Sequence, residues 1–375
     1  MPIQNIIISG AGPSGLLLAL LLAQHPSASP IDITLFDAGH GLDPRPRAAY
    51  YGPAAVAVLA RAGSLLADIR ARGFDPTWMT WKRLWDEGRH VRVGEGAELL
   101  GRIDLDSGAD RTACLALDGL GRLLVEHLER VYYDFTKWGY TDIQFFIHPE
   151  HWHMVARLAG PPTEYWRVSY GERSGLTHEE LLERQPAKFA AMLPGHPQPG
   201  DYDLVGFSPY RVHQRLAPSM RVGKIMLAAD AAHLCNPFGG LGLTGGIVDV
   251  GGLYDCLAGI HDGRADESIL DVYSDVRRAK WTDIIDVVSS ENIRRLFGQD
   301  PERAAETDEF IKLINVAEKD EKVRDEMRAS LHAIQYDFKQ HYRDAGSSSA
   351  AGNGAVKGGV GEVAGGGVGV VAASN

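Results

Sequence analysis

Cysteine is scarce in this chain: three residues, Cys114, Cys235 and Cys256, with no CxxC pair. That excludes a disulfide framework or a zinc ribbon and fits a reducing compartment. An excess of Lys and Arg is lacking too. The formal net charge is −11, and without clustered cations no nucleic-acid partner is expected. No apolar run has the length a bilayer demands, about 20 residues. The run LLLALLLA (Leu16–Ala23) follows glycines rather than a basic segment, so it fits a signal peptide poorly. GxSxG, P-loop and HExxH motifs are absent, which leaves hydrolase and kinase chemistry without support. These absences lead us to expect a cytoplasmic chain with no transmembrane segment.

What is present begins with a βαβ unit. NIIIS (Asn5–Ser9) predicts a buried strand, Ser14–His25 a helix stopped by Pro26 and Pro30, and IDITLF (Ile31–Phe36) a second strand ending at Asp37. Between strand and helix stands GAGPSG. In GxGxxG, Gly10 allows the tight turn, Gly12 lets the backbone approach a pyrophosphate, and Gly15 lets helix and strand pack. Pro13 and Ser14 open the helix, whose free N–H groups favour an anion. Asp37, at the end of the second strand, is placed for ribose hydroxyls. The motif alone does not choose between NAD and FAD.

A second stretch, AADAAHLCNPFGGLGLTGG (228–246), follows the apolar KIMLAA (Lys224–Ala229), which predicts another buried strand. Asp230 then stands where open α/β sheets bind ligands. Pro237, Gly240, Gly242, Leu243 and Thr244 predict a stiff turn and an open helix start offering backbone N–H groups to an anionic or electron-rich group. Two such sites, far apart along the chain, suit a long cofactor such as FAD better than NAD alone. Between them, Gly52–Arg72 and Leu117–Arg130 read as helices, and Trp78–Val93 as strand. Alternation through Gln144–Tyr170 predicts half-buried antiparallel sheet. Ser268–Phe297 and Ala304–Phe338 read as long helices, and residues 345–375, rich in Gly and Ala, as a disordered tail.

Ile6–Gly15, Asp37, Arg47 and Gly223–Asp249 together resemble the FAD-dependent aromatic hydroxylases related to phenol and p-hydroxybenzoate hydroxylase. Ala229 stands where that family usually has Gly, and Thr244 where it usually has Asn. The backbone carries most of the binding, so both departures read as mild. The resemblance implies an α/β, Rossmann-like FAD-binding domain with an inserted antiparallel β-sheet substrate layer and C-terminal helices. The expected division is 1–131 and 210–300 for the flavin, 132–209 for the substrate sheet, 301–344 for a C-terminal helix and 345–375 for the tail. The resemblance also implies FAD as cofactor, NADPH or NADH as transient co-substrate, and O2. The reaction would be hydroxylation of an aromatic or polyketide-like small molecule through a flavin C4a-hydroperoxide. Arg47 matches the family's arginine near the flavin, and a homodimer is compatible with the reading.

The family's internal GADG-x-x-S-x-x-R segment has no counterpart here, and the sequence around it is missing by comparison. A faulty gene model of an active enzyme and a trimmed, non-catalytic flavin-fold protein compete as explanations. An FAD oxidase or dehydrogenase is the other enzymatic alternative. Tyr50, Tyr51 and His213 are candidates to line the reaction cavity. His148, His151 and His153 are read as the polar face of a sheet rather than metal ligands, and His233 as a structural hydrogen-bonder.

Overall fold

The computed structural model describes residues 2–27, 29–39, 50–84, 98–105, 111–115, 131–159, 165–204, 207, 209 and 211–343. Arg47, the helix expected at 117–130 and the tail lie outside them.

The chain begins as its glycines dictate. β1 (Asn5–Ser9) runs into α1 (Pro13–Ala23), and β2 (Asp32–Phe36) returns parallel to β1 with Asn5 opposite Asp32 and Ser9 opposite Phe36. Pro13 sits in the first turn of α1, where its missing N–H costs nothing. Among the described residues this sheet has two strands, and Ile7 (72% exposed) and Phe36 (57%) face outward.

β3 (Tyr50–Tyr51) leads into α2 (Pro53–Leu59) and α3 (Leu65–Arg72). A seven-stranded sheet follows. It is built from β4 (Trp78–Arg83), β5 (Glu98–Asp104), β7 (Val131–Tyr132), β8 (Ile143–Ile147), β9 (His153–Ala159), β10 (Tyr165–Tyr170) and β11 (Asp203–Leu204), in the order β11-β7-β10-β9-β8-β4-β5. β6 (Ala113–Cys114) pairs with β3 instead. The sheet therefore takes in β4 and β5, which lie outside the expected 132–209 layer.

The sheet is also not half-buried. Every residue of β8 is buried, because helices cover both faces. On one face Trp81, Phe145, Met154 and Ala156 pack against Leu296, Ile311 and Ile314. On the other, Phe146, Val155 and Trp166 pack against Phe189 and Met192 of α4 (His178–Met192). Thr177 and Glu180 open α4 with a reciprocal capping box. Double cover makes β8 read as a continuous apolar run.

KIMLAA is not the buried strand its composition suggests. β12 (Arg215–Leu216) pairs with β15 (His233–Leu234), and β13 (Arg221–Val222) with β14 (Ile225–Met226) across Gly223, which takes φ +60. Val222 (71%) and Ile225 (69%) are exposed. α5 (Leu241–His261) then forms the axis of the largest core. It packs against α1, α2 and α6 (Ile269–Lys280), with Ile334 and Phe338 closing over it. α6 passes through a π-helical stretch (Trp281–Asp286) into α7 (Val287–Phe297).

Ala304–Phe338 is not one helix. It divides into α8 (Ala304–Thr307), α9 (Glu309–Lys319) and α10 (Glu321–Ser330). Asp308 and Asp320 each turn their side chain back onto the next helix's first N–H groups, and such caps start helices rather than continue them. One described helix, α5, is long and apolar enough to cross a membrane, and 83% of its apolar window is buried within the protein.

Candidate functional site

Gly10 takes φ +108, open only to glycine, and its N–H donates to the Phe36 carbonyl at 2.7 Å. A β-carbon at Gly15 would lie 1.9 Å from the Gly10 carbonyl oxygen, so Gly15 serves packing. At Gly10 and Gly12 a β-carbon would meet nothing within 4 Å. The backbone there is bare and faces open space, beside an α1 N-terminus that no side chain caps. That is the arrangement an anion requires. Asp37 accepts from the N–H groups of Ala11 and Gly39, both at 2.7 Å. The Gly39 bond first, then that from Ala11, holds its carboxyl below the usual range. A carboxylate has further lone pairs, so this bracing leaves room for a ribose hydroxyl.

The second half is built from turns. Asp230 is exposed in a 3₁₀ turn, Ala229–Ala231. Asn236 accepts from the Phe238 N–H and fixes the turn at Pro237–Gly239. Gly240 (φ +63) is exposed with open space around it and precedes α5, whose start again has no side-chain cap. Gly242 and Leu243 are half-buried in that first turn, and Thr244 is buried. Thr244 Oγ1 accepts from the Gly52 N–H at 3.4 Å, tying this turn to β3 and α2.

The two halves meet at Gly246. A β-carbon there would lie 2.7 Å from Ala229 Cβ and 3.6 Å from Ser14 Oγ. Segments far apart in the sequence thus approach one another, and each carries a helix start with no side-chain cap. The residues present fit FAD: bare glycine backbone for the pyrophosphate at one end, free N–H groups for the flavin at the other.

The other candidates fare differently. Tyr51 has no exposed surface, and its hydroxyl donates to the Leu115 carbonyl at 3.0 Å, so substrate contact does not fit its position. The Tyr50 hydroxyl is committed to the carbonyls of Asp142 and Arg157, and burial pushes its pKa well above the ordinary value. His213 is half-buried, and among the described residues no hydrogen-bond partner reaches its ring. Its neighbour Gln214, which no motif singles out, is the better connected. Its Oε1 accepts from the Asn236 N–H at 2.6 Å, while Nε2 reaches Asp286, Ser289 and Ser290.

The histidines do not form a polar face. His148 (7%) and His153 (0%) are buried. His153 stacks on Phe146 at 4.2 Å, and burial holds its pKa down to about 3. Among the described residues no three His, Cys, Asp or Glu side chains converge as a metal site. His233 is buried and hydrogen-bonded to Asp249.

Phe238, in the turn before α5, meets the sheet side of the molecule. Its ring lies 5.3 Å from Trp152, which lies 5.7 Å from Phe297, and Trp81 stacks on Phe145 behind them. An aromatic wall thus adjoins the second glycine stretch.

Residues 141–288 match the FAD binding domain family model. Para-nitrophenol 4-monooxygenase of Pseudomonas sp. (strain WBC-3) is 30% identical over 375 positions, which take in 83% of this chain and 91% of the relative. Since 83% of 375 residues is about 311, about 64 of those positions fall opposite a gap in this chain. 6-hydroxy-3-succinoylpyridine 3-monooxygenase of Pseudomonas putida (strain DSM 28022 / S16) is 38% identical over 170 residues, 45% of this chain and 42% of that one. The crystal structure of p-nitrophenol 4-monooxygenase from Pseudomonas putida DLL-E4 superposes with a TM-score of 0.74 at 27% identity, covering 89% of this chain and 99% of that chain. The chain belongs to the FAD-dependent aromatic hydroxylases, a class of flavoprotein monooxygenases, with FAD as its cofactor.

Proposed function

We propose that this enzyme hydroxylates a small phenol-like aromatic, bound between the second glycine stretch and the aromatic wall of Trp152, Phe238 and Phe297. The observation that carries the reading is Phe238, which belongs to the cofactor turn and also to that wall. The relatives named for p-nitrophenol support a phenol. FAD, when bound, supplies the oxygen chemistry with NADPH or NADH as electron donor.

The chain's own residues hold and shield it. Gly10, Gly12, Pro13, Ser14 and Gly15 present the α1 N-terminus to the pyrophosphate, and Asp37 takes a ribose hydroxyl. Asp230 takes the flavin's sugar-alcohol chain. Pro237, Gly240, Gly242, Leu243 and Thr244 present the α5 N-terminus to the ring. Arg47 is given to the flavin by the family resemblance alone, and His213 lines the approach to the ring. Within the wall, Phe297 (43% exposed) and half-buried Trp152 offer aromatic surface to the substrate, and buried Phe238 supports Trp152. The flavin domain is residues 1–131 and 210–300, with β4 and β5 given over to the substrate sheet. The protein acts in the cytoplasm as a homodimer.

The test is to purify the chain, record its flavin spectrum after adding FAD, and follow NADPH and NADH oxidation with and without phenols under labelled O2. A product carrying one labelled oxygen is expected. Failure to retain flavin, or nucleotide oxidation that no phenol accelerates, overturns the reading.

A further inference from the structure

Bonded to the second glycine stretch through the Ala229 N–H lies a fully buried charge cluster. Asp249 (0% exposed) sits in α5. Its Oδ2 accepts from the Ala229 N–H at 3.0 Å and from His233 Nε2 at 2.6 Å, and its Oδ1 from Arg277 Nε at 2.6 Å. Burial by itself would raise the Asp249 pKa, but Arg277 and His233 outweigh it and hold the carboxyl below the usual range. Arg277 (1% exposed) donates onward through Nη1 to the Ile334 carbonyl.

Ile334 belongs to a strap, residues 331–342, fastened across three helices. Phe338 lies over Gly252 and Tyr342 over Gly259, where a β-carbon would come within 2.6 Å and 2.3 Å of the rings. Lys280 Nζ donates to the Ala333 carbonyl at 2.7 Å, and Gln335 Nε2 to the Ala54 carbonyl at 3.1 Å. A continuous chain of bonds therefore runs from the strap through Arg277 and Asp249 to the backbone N–H beside Asp230.

We propose that Asp249 and Arg277 are positioning residues for the cofactor. They hold the Ala229–Asp230 turn through the Ala229 N–H, and the strap locks them in place through Ile334. The inference rests on the cradle reading above. A turn stabilised both by the strap and by FAD couples the two, and such coupling is reciprocal.

The test uses the full chain stripped of flavin. FAD affinity is read by quenching of flavin fluorescence, and the strap by amide hydrogen exchange of residues 331–342 with and without FAD. Asp249→Asn and Arg277→Lys are each expected to raise the FAD Kd at least tenfold. FAD is expected to slow strap exchange in the wild type and to lose that effect in Arg277→Lys. Arg295→Lys is the control. Arg295 pairs with Asp308 at 2.8 Å in a half-buried site joining α7 to the α9 cap, away from Ala229, so that variant lowers Tm but leaves Kd within twofold. Phe338→Ala loosens the strap without touching the cluster, and is expected to raise Kd about threefold. It decides the matter with Arg277→Lys if Asp249→Asn does not fold. Unchanged Kd in folded Asp249→Asn and Arg277→Lys, or strap exchange indifferent to FAD in a wild type that binds it, overturns the inference alone. A wild type that binds no FAD overturns the cradle reading and the inference together.

Discussion

Ala229 takes φ +54, a conformation that costs a residue bearing a β-carbon roughly 1–2 kcal/mol. Replacing it with glycine relieves that cost and returns about 0.4–1 kcal/mol to the unfolded chain as added freedom. Ala229→Gly is therefore expected to gain about 0.5–1 kcal/mol. Its β-carbon also occupies the space into which Gly246 would grow. In Gly246→Ala the new carbon would stand 2.7 Å from Ala229 Cβ and 3.3 Å from its Cα. Overpacking of that kind costs about 1–3 kcal/mol, against a helix-propensity gain of about 1 kcal/mol, so a net loss of about 1 kcal/mol is expected. In the double variant the closer clash is gone and Gly246→Ala becomes neutral or favourable. Urea unfolding of the four proteins in the cycle, without flavin, should give a coupling of about 1 kcal/mol. Additivity within about 0.3–0.5 kcal/mol, the scatter of independent sites, would refute the close approach of the Ala229 turn to the first turns of α5 within the second glycine stretch.

Gly12→Ala, at a φ of −70 that any residue adopts and with open space around it, should fold normally yet raise the FAD Kd at least tenfold, about 1.4 kcal/mol, in a fluorescence titration. Gly15→Ala should instead lose about 3 kcal/mol of stability, because a backbone carbonyl 1.9 Å away cannot yield as a side chain would. His153 stays neutral in the fold down to about pH 3, while in the unfolded chain it protonates below its ordinary 6.5. Within that window the unfolded state binds the extra proton, so stability falls as pH falls, by at most about 1.4 kcal/mol per pH unit from this residue. The slope of wild type relative to His153→Gln between pH 6 and about 4.5 measures it, and identical slopes would contradict a neutral buried ring. Asp320→Ala should cost about 1 kcal/mol in thermal unfolding through loss of the α10 cap.

Much of the cradle was legible because glycine roles are local. The strand, turn and helix around Gly10, Gly12 and Gly15, and the open start of α5, each follow from residues within a few positions of one another. What escaped depends on distant partners. Ala229 passes as a mild departure from glycine until its φ is known. The pairing of Asp249 with Arg277, 28 positions apart, follows from no periodicity. KIMLAA has the composition of a buried strand, but a strand is buried only by neighbours, and here two of its residues pair in a hairpin. The alternation in Gln144–Tyr170 located three strands, yet helices on both faces made the sheet interior. Asp308 and Asp320 are local cap signals, but the amphipathic period on either side of each masks the break between helices.

The partner of α1 has a further consequence, one of timing. Leu17, Leu18, Leu21 and Leu22 are buried in the core that α5 organises. Yet α1 ends at Ala23 and α5 does not begin until Leu241. At the usual pace of synthesis, roughly 5–20 residues per second, α1 waits roughly 10 to 45 s outside the ribosome for its cover. Throughout that wait LLLALLLA has only the neighbouring β1, β2 and α2 for cover, which makes it a natural client for chaperones, and a chain stalled before Leu241 lacks the helix it packs on most.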